Sequence, residues 1–495
     1  MRLVLLFCAV IIFCCTINAQ VKYPKRELRG AWIATVANID YPADRSSSCS
    51  AKVAELRMIF ERLKSAGINT VFFQVRTECD ALYKSEIEPW SYWLTGKQGQ
   101  APDTLFDPLS IAIEEAHKYG MEIHAWLNPF RSVKTVDEYE VSDKHISKTH
   151  PEWILRFKDL KMLNPGIPEV REYILSVIDD IISRYDVDGI HFDDYFYPYG
   201  PRITNEDTAA FKANPRGFAN VEYWRRDNVN SLIASVGKLI KSKNPAIKFG
   251  IAPFGIVKNS YAGTSAFESY YNIYCDPVAW INSKSVDYVL PQIYWEIGHK
   301  KADFKKIITW WSSIKTDRHI YAGHFASSYL NPKYSLSENE LENQIDLVRS
   351  KRGIKGSVFF SAKTIIYNWK HFADTLMYTK YMYPALVPVM NWKGLNYPAA
   401  PKEGKYQYDS TSIKLSWECP QSKSSADSVY QFVVYKFNPL EQVNLENAVY
   451  IKAILPSSQN TFTDEGGYGD YKYIITSLNR AKVESKEYLK INVVK

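Results

Sequence analysis

Asp188-Gly189-Ile190-His191-Phe192-Asp193-Asp194-Tyr195-Phe196-Tyr197-Pro198 is the stretch on which the fold turns. It begins as a short strand-forming run and ends by delivering two neighbouring carboxylates and a cluster of aromatic rings into a turn closed by proline. Side chains alternate along a strand. His191 and Asp193 therefore share one face, while Ile190, Phe192 and Asp194 share the other.

The same rhythm recurs on both sides of this stretch. Short apolar, β-branched or aromatic runs at 28–36, 70–76, 122–128, 189–195, 248–256, 288–295, 320–326 and 356–362 predict eight strands. Several are nearly continuous in apolar residues, as parallel strands buried on both faces are. Helical patterns fill the gaps. In 53–65, Val53, Leu56, Ile59, Phe60 and Leu63 form one stripe, and Gly67 follows as a C-terminal stop. In 169–185, Val170, Tyr173, Ile174, Val177, Ile178 and Ile181 do the same behind Pro168. Strands and helices alternating in this way predict an α/β (β/α)8 TIM barrel over residues 24–381. An open doubly wound sheet usually brings a glycine-rich phosphate loop after its first strand, and none is present.

After Met382 the texture changes. Pro384, Pro388, Pro398 and Pro401 mark a linker at 382–401. Shorter alternating runs at 412–417, 430–436, 449–454 and 472–477 then predict a small all-β sandwich of the immunoglobulin/fibronectin type over 402–495.

TIM barrels place their chemistry where strands end. The fourth strand offers Asp193 as nucleophile or charge stabiliser and Asp194 as a hydroxyl-binding or orienting group. The sixth ends Gln292-Ile293-Tyr294-Trp295-Glu296. A carboxylate beside an indole has a route to a raised pKa, which a general acid needs. Cleavage of a glycosidic bond requires two carboxyl groups, and Asp193 and Glu296 on one rim are the candidate pair. Glu78 or Asp80, after the second strand, is the reserve for the second carboxylate. Trp32, Gln74, Arg76, His124, Trp126, Asn128, His191, Tyr195, Gln292, Tyr294, Trp295 and His324 are the candidate substrate-binding residues, since amide, imidazole and guanidinium groups among aromatics suit a polyhydroxylated ligand. Arg76 and Glu78 read equally well as a structural ion pair.

Composition sets bounds on the rest. The chain has 495 residues, 46% of them hydrophobic and 14% aromatic, and its net charge is +7. The basic residues are scattered among acids, which argues against a nucleic-acid partner. Residues 1–19 read as a secretory signal: Arg2 supplies the positive start and an apolar run to Cys15 follows. Secreted or periplasmic placement follows from this. Lipoprotein anchoring at Cys14 or Cys15 is disfavoured by the bulky Ile12 and Phe13. No later segment is long and apolar enough to span a bilayer. Cys49, Cys79, Cys275 and Cys419 are far apart and fit neither a disulfide framework nor a zinc site, although a Cys49–Cys79 bridge is one alternative. No cofactor or metal is implied, because two carboxylates suffice, and nothing in the sequence sets an oligomeric state.

Glu27-Leu28-Arg29-Gly30-Ala31-Trp32-Ile33-Ala34-Thr35, His124-Ala125-Trp126-Leu127-Asn128-Pro129, the fourth-strand stretch and Pro291-Gln292-Ile293-Tyr294-Trp295 together resemble the glycosyl hydrolase-like family ten group of bacterial TIM-barrel proteins. The resemblance spans about 24–381 and implies a secreted or envelope glycosidase acting on peptidoglycan glycan strands or another polysaccharide. The fourth-strand stretch also resembles the alpha-galactosidase and alpha-amylase superfamilies. Their aspartate nucleophile maps onto Asp193, with an acid on a later strand, hence Glu296. Ile413-Lys414-Leu415-Ser416-Trp417 and Phe432-Val433-Val434-Tyr435 resemble fibronectin type III domains, with Trp417 in the core. Two rival functions remain: a glycan-binding protein without catalysis, and a metal-dependent polysaccharide deacetylase, for which His145 and His150 are poorly spaced.

Overall fold

The computed structural model describes residues 23–103, 105–330, 337, 339–394, 396–408, 411–421 and 427–495, so the expected signal segment lies outside the described residues. In chain order, strands β1 (Leu28–Ile33), β2 (Thr70–Arg76) and β3 (Glu122–Leu127) are followed by three short strands, β4 (Arg131–Val133), β5 (Ile154–Arg156) and β6 (Lys161–Leu163). Then come β7 (Gly189–Phe192), β8 (Lys248–Ile251), β9 (Tyr288–Val289), β10 (His319–Phe325) and β11 (Ile354–Phe360). A closed barrel of parallel strands runs β1-β2-β3-β7-β8-β9-β10-β11 and back to β1. The TIM barrel expected from the sequence is present, with β4–β6 forming a small antiparallel sheet in the crossover after β3.

Alternation along the strands sorts the core into two shells. Leu28, Trp32, Phe72, Trp126, Tyr288, Tyr321 and Val358 fill the barrel, while Val71, Phe73, Ile123, Ile190, Phe249 and Ile320 face the helices. The helices start as their residues dictate. Ser48 caps Cys49–Ser65, Asp107 with Pro108 opens Pro108–Lys118, and Asp303 caps Phe304–Ser313. Several strands end earlier than the apolar runs predict. The fifth stops at Ile251 and the sixth at Val289. Pro253 and Pro291 lie just beyond, where a missing N–H ends the ladder, and only single bridges at Phe254–Gln292 and Gln292–Gly323 continue it.

The C-terminal sandwich pairs a sheet β12-β13-β16 with a sheet β15-β14-β17-β18. Its strands are β12 (Lys402–Tyr408), β13 (Ser412–Glu418), β14 (Gln431–Phe437), β15 (Ile451–Pro456), β16 (Thr461–Glu465), β17 (Tyr471–Leu478) and β18 (Leu489–Val493). Trp417 is buried edge-on to Phe432, ring centroids 5.4 Å apart. The sandwich docks where the barrel strands begin. Lys482 reaches Glu122, the first residue of β3, at 3.5 Å, and Arg480 and Tyr430 reach Asp188 just before β7. The expected linker is packed here too: Val387 and Met390 close the lower end of the barrel, and Trp392 donates to Asp287 at 2.7 Å. The four described cysteines are free thiols, so the Cys49–Cys79 bridge does not form. Among the described residues, no helix is long and apolar enough to cross a membrane.

Candidate active site

At the upper rim the first four barrel strands are laced together by side chains. Gln74 Oε1 accepts from the Thr35 and Val36 N–H groups at 2.9 and 3.0 Å, and Gln74 Nε2 donates to Asn128 Oδ1 at 2.6 Å. Arg131 Nη2 donates to the same oxygen at 2.9 Å, and Asn128 Nδ2 donates to Asp193 Oδ2. Asp193 thus sits at the end of a polar row that starts on β1. Beneath it lies a row of neutral rings. Trp32 Nε1 donates to His191 Nε2 at 3.1 Å, and Tyr288 Oη lies within hydrogen-bond distance of both His191 Nδ1 and His124 Nδ1. Burial holds both imidazoles below the usual histidine range, and His191 is lowered further by its neighbour His124.

The two carboxylates are pushed the other way. Burial raises Asp193 to about 6, although Arg131, the Tyr195 backbone and the Trp126 and Asn128 side chains oppose it. Burial, and then Asp193 itself, raises Asp194 to about 7, while its bond from Tyr199 Oη pulls down. Two adjacent carboxyl groups in a dry site cannot both ionise cheaply. Asp193 Oδ1 has no hydrogen-bond partner among the described residues and is shut off from bulk water.

Aromatic rings from the ends of the later strands stand beside this pair. Tyr294 packs on Phe325 and Phe360 with centroids 5.3 and 6.0 Å away and planes within 29°. All three rings are half-buried at the mouth. Phe325 and Phe360, with Arg131 and Tyr199, were not among the sequence candidates. The signal was available, because Phe325 and Phe360 are the last residues of β10 and β11.

Some expected residues do not reach the site. His324 is off the inward face by one position. Its ring lies among the helices between Phe304 and Phe359, and Nδ1 meets Gln344 at 2.8 Å. Trp295 likewise packs edge-on to Phe254. Arg76 is buried in the barrel wall, and its ion-pair partner is Glu88 at 2.7 Å rather than Glu78. His124 belongs to the deeper ring row, on Tyr288. Glu78 and Asp80 are buried in loop-holding bonds: Glu78 accepts from Trp93 Nε1 at 2.7 Å and Asp80 from Thr77 Oγ1 at 2.7 Å. The turn carrying Glu296 is tied to the helical layer through Phe304 N and, at the next residue, Glu340. Its carboxylate is half-exposed and has no side-chain partner among the described residues. Gln292 donates to the Ala252 carbonyl at 2.8 Å and faces Asp194. Among the described residues, no group of three or more histidine, cysteine or acidic side chains is arranged to hold a metal ion.

Comparison with known proteins places this geometry. Residues 27–335 match the model of the family described as glycosyl hydrolase-like 10. The chain is 35% identical over 487 residues to glycosyl hydrolase YngK of Bacillus subtilis (strain 168), covering 95% of this chain and 93% of that protein. It is 35% identical over 372 residues to glycosyl hydrolase DigH of Escherichia coli (strain K12), covering 69% and 84%. Among solved structures, the PgaB (BpsB) glycoside hydrolase domain from Bordetella bronchiseptica superposes with a TM-score of 0.47 at 11% identity, covering 72% of this chain and 99% of that one.

Proposed function

The chain belongs to the glycosyl hydrolase-like 10 family, and from that premise we propose that this glycoside hydrolase is exported by residues 1–19 and cleaves O-glycosidic bonds of a bacterial cell-wall glycan or a related polysaccharide, with Asp193 as the reacting carboxylate. The observation that carries this reading is the state of Asp193. It stands at the end of a barrel strand with one oxygen held by Asn128, the other without a partner, and a pKa raised to about 6. Such a group is held in place yet not neutralised by a cation, which suits attack on an anomeric carbon or stabilisation of the positive charge that develops there. The apolar face of the sugar would lie against Tyr294, Phe325 and Phe360, with Tyr195 and Gln292 completing the surround, while Trp32 and Trp126 are buried in the barrel beneath it.

Glu296 is the proposed acid, because its half-exposed carboxylate has no partner to lose among the described residues. A second reading gives that role to Asp194, whose raised pKa of about 7 keeps a proton available near neutrality. Reducing-end release with mass spectrometry of products, on a glycan panel that includes peptide-free peptidoglycan strands, tests both. Wild type should release fragments and Asp193→Asn none. Whichever of Glu296→Gln and Asp194→Asn loses turnover on poor leaving groups identifies the acid. Binding without product from wild type, or full turnover by Asp193→Asn, would overturn the proposal.

A further inference from the structure

Gln74 and Asn128 are fully buried, with no exposed surface to offer a sugar. Their hydrogen bonds give them another task. Both lone-pair directions of Gln74 Oε1 are taken by the Thr35 and Val36 N–H groups, so its amide nitrogen can only face Asn128. Asn128 Oδ1 in turn receives Gln74 Nε2 at 2.6 Å and Arg131 Nη2 at 2.9 Å, while Arg131 Nε is anchored on the Thr77 carbonyl at 2.9 Å. Only one orientation of Asn128 satisfies this set. Its Nδ2 must face Asp193 Oδ2. Turned over, it would set N–H against two donors and a carbonyl oxygen against a carboxylate. We propose that Gln74 and Arg131 are positioning residues for Asp193: by fixing the Asn128 amide they keep Oδ2 hydrogen-bonded and leave Oδ1 as the oxygen that meets the substrate.

This rests on Asp193 being the reacting carboxylate, but the positioning can be tested without substrate. The charged and titratable groups facing Asp193 are Arg131, Asp194, Tyr195 and Tyr294. None of them is altered in Gln74→Met, which adds no charge and removes one of the two donors that hold Asn128 Oδ1, so that the amide is no longer fixed. In that variant the acidic limb of the kcat/KM profile should move up by about one pH unit, as a weakened hydrogen bond to the charged form makes it do. The same variant should lose about 10- to 100-fold in kcat while KM stays within about threefold, because transition-state stabilisation and not ground-state binding is lost.

The substrate-free arm is pH-dependent unfolding of wild type, Gln74→Met, Asp193→Asn and the double variant. The pH-dependent difference made by Gln74→Met, which adds no titratable group, should disappear in the Asp193→Asn background. Persistence of that difference, or an unmoved acidic limb, overturns the positioning role. If Gln74→Met does not fold, Arg131→Lys carries the same cycle, since it keeps the charge and loses the two-point anchor. A wild type that cleaves no glycan would sink the functional reading alone, with the unfolding cycle still deciding the positioning.

Discussion

The two ends of this barrel bury the same chemical groups and treat them in opposite ways. At the lower end, Glu122 is met by Lys248 at 2.6 Å and by Lys482 at 3.5 Å. Burial alone would raise its pKa, yet the two lysines hold it down to about 2. Asp188, among His117, Arg480 and Lys482, and Glu27, between Arg29 and Arg349, are likewise held low against burial. At the upper end Asp193 and Asp194 are as deeply buried, but amides, an indole and a phenol take the place of direct cation partners, and Arg131 is spent on Asn128 and Thr77. Burial then wins, and the pair rises to about 6 and 7. Ion pairing, and not depth, separates the carboxylates held low from those that burial raises here.

Removing a carboxylate at each end sharpens the contrast. The largest expected effect is on activity: Asp193→Asn should cut kcat by at least about a thousandfold. The same variant should be more stable than wild type at pH 8, by roughly 1–3 kcal/mol, because it removes a charge whose ionisation in a dry site opposes folding. Glu122→Gln should do the reverse. It leaves Lys248 and Lys482 buried against a neutral amide and should cost about 3–5 kcal/mol in denaturant unfolding, with kcat per folded molecule unchanged. The smallest effect belongs to the aromatic wall. Phe325→Leu should raise KM a few-fold, about 1 kcal/mol of lost sugar contact, and leave the pH profile in place.

Much of the upper end was legible in the sequence, and little of the lower end. Strand alternation puts His191 and Asp193 on one face, and His191 meets Trp32 and Tyr288 inside the barrel while Asp193, one residue past β7, meets Asn128 at its rim. At His324 and Trp295 the sequence alone fixes no face, because no neighbour of known direction anchors the alternation there. Tyr321 points into the barrel, so Gly323 and Phe325 do too, and His324 must point out. Arg76 found Glu88, twelve residues on, because the loop after β2 folds back on itself, and no local spacing encodes that. The sandwich was readable as a fold from its alternating runs. Its seat under the barrel was not, since it depends on Arg480 meeting Asp188 and Lys482 meeting Glu122, about 290 and 360 residues away in sequence.

The most direct test is the pH dependence of unfolding free energy for wild type, Asp193→Asn and Glu122→Gln, measured from pH 3 to pH 9. The raised value of Asp193 means that its penalty is absent below its ordinary value of 3.8, grows as pH climbs towards about 6, and is complete above that. Asp193→Asn should therefore match wild type at the acid end and gain on it through that window. The depressed value of Glu122 means that its contribution is complete above its ordinary value of 4.5 and fades as pH falls towards about 2. Glu122→Gln should trail wild type at neutral pH and close the gap in acid. If Asp193→Asn instead loses stability as pH rises, Asp193 is an ion-paired structural group like Glu122, and the assignment of the upper rim as the reactive end is wrong.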